Sequence, residues 1–137
     1  MKKLLTLAIV ILSFSVHAAE LASFADIATA IKNGKQLSFV WAIKECTSEQ
    51  TLPNSITSVR PNAVMLIADQ RITASDRHFT LNDPSLPDTP AFGYSKFNLQ
   101  ANGHATLNIT LMRAQDYSKV KTYQIECELG KGLTIFD

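Results

Sequence analysis

After Asn33-Gly34 the apolar residues of this chain stop recurring at helical spacing and begin to alternate, and that change of period restricts the fold more than any other feature. Leu37, Phe39, Trp41 and Ile43 alternate with Gln36, Ser38 and Lys44, as in a strand with one buried face, which makes Trp41 a core residue. The apolar run from Ala63 to Ala68 predicts a strand buried on both sides, and Arg71 to Phe79 resumes pairing after a tight connection at Asp69-Gln70. Asn102-Gly103 is a type I′ hairpin signal between a strand ending near Ala101 and one beginning at His104. In that second strand Ala105, Leu107, Ile109 and Leu111 share one face. Tyr123, Ile125, Cys127 and Leu129 repeat the alternation, and Gly130-Lys131-Gly132 turns the chain into a last strand, Leu133 to Phe136.

One helix precedes the strands. Ser23 followed by Asp26 forms a capping arrangement, Phe24, Ile27, Ala28 and Ile31 lie on one face, and Asn33-Gly34 supplies the left-handed stop. So short a helix is marginal alone and needs the strands to cover its apolar stripe. The prolines fall outside the strands, and Pro84, Pro87 and Pro90 at every third position favour an extended, polyproline-like loop. Phe92, Tyr94 and Phe97 read as core, with a change of phase that points to a bulge between Tyr94 and Phe97. The expected fold class is α+β, mostly β: one short helix, then an antiparallel meander of about six to seven strands, strongly curved or barrel-like.

Residues 1–18 read as a secretory signal peptide, with Lys2 and Lys3, an apolar run from Leu4 to Val16, and Val16-His17-Ala18 before the favoured cleavage point. Residues 19–137 then form a single domain, periplasmic or extracellular, with no membrane span after cleavage. Thirteen basic and twelve acidic residues give the full chain +1, and loss of Lys2 and Lys3 takes it to about −1. With no clustered Lys and Arg, nucleic acid is not an expected partner. Export also decides how the two cysteines are read. In an oxidising compartment Cys46 and Cys127 predict a disulfide, and closing so long a loop restrains the unfolded chain by about 4 kcal/mol in the chain-entropy model. Strict alternation puts Cys46 on the polar phase of its strand, so the bridge requires that strand to end near Lys44 or Glu45.

The polar cluster Ser75-Asp76-Arg77-His78 carries the only candidate chemistry of note. Continuing the phase of Ile72 and Ala74 turns Asp76 and His78 inward, where a carboxylate would orient an imidazole for general base work. The plainer reading ties these side chains to the adjoining loop by hydrogen bonds. No Gly-x-Ser-x-Gly elbow gives Ser75 the setting of a nucleophile. Glu126 and Glu128 flank Cys127 as a solvated face, and His104 flanks a turn. Neither cofactor nor metal is expected: no phosphate loop, dinucleotide fingerprint or zinc spacing occurs.

The string from Ile72 to Thr80, the proline-rich interval to Pro90, the aromatic strand around Phe92 and Tyr94, and Glu126-Cys127-Glu128-Leu129-Gly130 together resemble the VirK family. The likeness runs from Phe24 to Phe136 and includes Gly34 and Cys46; Thr47 to Thr51 departs from it by lacking Gly and Pro. The resemblance implies a small exported bacterial protein, β-rich and linked to host association or virulence, without an assigned activity. The expected function is a non-enzymatic module binding a protein or small molecule. The alternatives are a hydrolase-like site around Asp76 and His78, or a carrier of a small apolar ligand. A sizeable apolar cavity would favour the carrier, and a filled core with a smooth polar exterior the interaction module.

Overall fold

The computed structural model describes residues 18–137, so the expected signal peptide lies outside the described residues apart from Ala18. One helix, α1 (Phe24–Lys32), is followed by eight strands: β1 (Ser38–Ala42), β2 (Ile56–Val59), β3 (Ala63–Ile67), β4 (Arg71–Thr80), β5 (Ala91–Gln100), β6 (His104–Arg113), β7 (Lys119–Leu129) and β8 (Gly132–Phe136). They form one sheet in the order β2-β1-β8-β7-β6-β5-β4-β3. The run from β3 to β7 is an antiparallel meander, and β8 returns the chain to β1, curling the sheet into a half-barrel. The strand beyond the expected range is β2, drawn from the polar stretch before Asn62; pairing with β1, rather than its own apolar content, makes it a strand.

The helix forms as its capping residues dictate. The Ser23 hydroxyl accepts from the Asp26 backbone N–H at 3.1 Å, and Asp26 sits in the first turn, where a negative charge suits the helix dipole. Ile27, Ala28 and Ala30 are buried, and Ile27 and Ala30 join a core with Phe39, Trp41, Ile72, Leu99, Leu107, Ile125 and Ile135. A second, smaller cluster of Leu86, Ala91 and Leu111 lies at the other end of the long strands.

Cys46 and Cys127 are bridged across a sequence separation of 81 residues. The phase conflict resolves early: β1 ends at Ala42, and a 3-10 turn, Ile43–Glu45, reorients the chain before Cys46. β8 accompanies β7 for only two residue pairs, Glu128↔Gly132 and Leu129↔Leu133, in parallel. The edge of β7 freed there is taken up by the segment after Cys46. Thr47 exchanges two backbone hydrogen bonds of 2.8 Å with Glu126, Ser48 Oγ donates to the Gln124 carbonyl at 2.6 Å, and Gln50 Nε2 to the Thr122 carbonyl at 3.1 Å.

Four local expectations are corrected. β3 is an edge strand, so Met65 and Ile67 are exposed while Val64 and Leu66 pack on the core. The β5–β6 connection is a three-residue loop in which Gly103 alone has positive φ (+90), where a type I′ turn would need two such residues; Ala101 lengthens the loop and relieves Asn102 of that conformation. The segment between β4 and β5 is a succession of turns, with Leu86 N–H donating to the Asp83 carbonyl and Thr89 N–H to that of Leu86, because burial of Leu86 folds it back. No bulge interrupts β5 between Tyr94 and Phe97: register with β4 and β6 is continuous there. Phe97 is core, whereas Phe92 and Tyr94 are half-buried on the other face, where Phe92 stacks with Tyr117 at 5.8 Å.

Candidate functional site: a cleft on the concave face

The concave face of the half-barrel is filled unevenly. At one end the core around Phe39, Ile72 and Leu99 packs with α1; at the other, Leu86 of the β4–β5 segment covers Ala91 and Leu111. Between them lies a cleft of about 540 Å³. Its floor is the inner face of the sheet, from Trp41 of β1 through Phe97 of β5 and Leu107 and Ile109 of β6 to Tyr123 and Ile125 of β7. Its sides are Leu52 and Pro53, carried over the cleft after the Thr47–Gln50 segment, and Asp83, Pro84 and Ser85 opposite. The volume falls in the range of small-molecule sites.

The strands place a few polar groups in this wall. On β5 the inward phase runs Leu99, Phe97, then Ser95 and Gly93, so apolar side chains give way to small ones. On β4 it runs Ile72, Ala74, then Asp76 and His78, as the alternation predicts. The His78 ring lies flat against its cross-strand partner Gly93: a Cβ there would overlap the imidazole, with Nε2 only 2.8 Å away. His78 Nδ1 stands 3.7 Å from Asp76 Oδ2, beyond hydrogen-bond length, and the Asp76 side chain is only 10% exposed against 54% for His78. Ser75 does not join them. It points to the convex face, beside Lys96 and Asn98. The hydroxyl nearest the pair in register is Ser95, directly across from Asp76 and buried in the cleft wall. The signal for it was the inward phase of Phe97 and Leu99 continued backwards, which the aromatic residues at 92 and 94 obscured.

The other polar positions lie elsewhere. His104 Nδ1 is 3.3 Å from Glu128 Oε1 beside the β5–β6 loop, and Glu126 is exposed. Asp116, in the β6–β7 turn, is held below the usual carboxylate range chiefly by the Ser118 hydroxyl, which donates to it at 2.7 Å. Among the described residues no group of three or more His, Cys, Asp or Glu side chains is placed to hold a metal ion, and no helix is long and apolar enough to cross a membrane.

The fold and the bridge meet a family model over most of the described chain: that of the VirK protein matches residues 20–117. The chain belongs to the VirK family. It is similar to the crystal structure of a VirK family protein from Legionella pneumophila, with 50% sequence identity and a TM-score of 0.82 over 86% of this chain and 98% of that one. No curated protein matches it. The VirK match spans Trp41, Cys46, Asp76, His78 and Ser95, so most of the cleft lies inside the shared region; Tyr123, Ile125 and Cys127 lie beyond the matched residues.

Proposed function

We propose that this VirK protein is an exported, non-enzymatic binding module that takes a small, largely apolar ligand into its concave cleft. The observation that carries the reading is the cleft itself, about 540 Å³ walled chiefly by Trp41, Leu52, Phe97, Leu107, Ile109 and Ile125 in an otherwise packed half-barrel. Apolar surface left uncovered inside a fold of this size favours a ligand that covers it, by roughly 25 cal/mol for each Å² removed from water. The Cys46–Cys127 bridge supports residence in an oxidising compartment and anchors the segment that leads over the cleft. A mature domain beginning at Ala19 contains every residue this reading uses.

The chain has a single tryptophan, and it lies in the cleft wall. Its emission therefore reports occupancy directly. Titration with isopentylbenzene should give a saturable change in Trp41 fluorescence, weakened several-fold by Ile109→Phe, which adds volume inside the cleft. A linear, unsaturable response, or one untouched by Ile109→Phe, would sink the proposal.

A further inference from the structure

Trp41 is 1% exposed, and its indole N–H, a donor with no acceptor capacity, has no hydrogen-bond partner. A buried donor left unpaired costs free energy that an acceptor on a bound molecule would recover, and Trp41 forms part of the cleft wall. The same wall contains no Lys or Arg among the described residues, while Asp83 stands at one side and Asp76 lies just beside His78. An anionic acceptor would therefore enter without a countercharge and next to carboxylates, which burial makes costly. A neutral carbonyl meets both conditions.

We propose that the cleft selects a neutral carbonyl compound, a ketone, ester or amide on an apolar body, whose oxygen accepts from Trp41 Nε1–H. If each atom takes about the space of one water molecule, a ligand of on the order of 15–20 non-hydrogen atoms fills the cleft. This inference rests on the reading of the cleft as a ligand site and adds the chemistry of its polar anchor. His78 and Ser95 line the same space and leave room for a second polar group on the ligand.

Three molecules of one shape separate the possibilities: benzylacetone carries the carbonyl, isopentylbenzene replaces it with a hydrocarbon branch, and hydrocinnamate replaces it with a carboxylate. Affinities are measured by calorimetry on the mature protein and on Trp41→Phe. The affinity ratio of benzylacetone to isopentylbenzene should fall by about three- to tenfold in the variant, the loss of one buried hydrogen bond. In the unsubstituted protein, the single indole N–H proton resonance should move downfield with benzylacetone and not with isopentylbenzene, which keeps the test decisive even if Trp41→Phe fails to fold. If both neutral molecules bind but the indole signal ignores the carbonyl, the anchor is wrong and the cleft reading stands. Tighter binding of hydrocinnamate than of benzylacetone overturns the neutral assignment. If none of the three binds, the anchor and the cleft reading both fall.

Discussion

Gly132 sits where the chain has least room. Its φ of +87 is a conformation that costs other residues about 1–2 kcal/mol, and a Cβ there would lie 2.6 Å from Cys46 Sγ and 3.3 Å from Cys127 Cβ. Its N–H also donates to Glu45 Oε2 at 3.2 Å. Gly132→Ala should therefore lower stability by at least about 2 kcal/mol in urea unfolding, with no compensating gain from the reduced freedom of the unfolded chain. Gly93 is constrained differently, by the imidazole lying on it. His78 is half exposed and has no hydrogen bond of ordinary length to Asp76, so His78→Ala should change stability by less than about 0.5 kcal/mol; a loss above about 1.5 kcal/mol in the same assay would reveal a structural role that its surroundings do not supply.

Among the elements, α1 depends most on local chemistry. It has nine residues, too few to persist alone, and it is held by the Ser23 cap and by Ile27 and Ala30 in the core. Ser23→Ala should cost about 1 kcal/mol and, because the helix packs at one end of the concave face, should speed amide exchange first in Phe24–Lys32. Protection lost uniformly over all strands instead would contradict a local role for the cap. The helix was legible because its signals are carried by near neighbours in sequence. The status of β3 was not, because an apolar run reads alike in a central strand and at an edge; only the sheet order exposes Met65 and Ile67. For the same reason β2 went unseen: its residues gain their conformation from β1.

At the scale of the whole molecule, the bridge joins the turn after β1 to the far end of β7 and so ties the first part of the sheet to the last. Reduction, or the double change Cys46→Ser and Cys127→Ser, should remove about 4 kcal/mol, a large part of what a domain of this size has. Urea midpoints with and without reductant measure this directly, and a native, exported form with two alkylatable thiols would show that the bridge is not the physiological state. The Thr47–Gln50 segment should lose protection before the meander from β3 to β7 does, since its bonds to β7 follow directly from Cys46.

What the sequence determined by itself was what its periods and signals encode locally: one capped helix, strands with a defined inward phase, a lone pair of cysteines, and Asp76 with His78 on the inner face. Which part of that inner face would be filled was settled only in three dimensions. The alternation that buries Phe39 near α1 also turns Trp41 inward, yet α1 and Leu86 pack at opposite ends and leave Trp41, Phe97 and Ile109 around open space. A side chain's phase depends on its neighbours along the strand. Whether anything covers it depends on elements tens of residues away, and that is why the polar string at Ser75 to His78 was visible in the sequence while the cleft beside it was not.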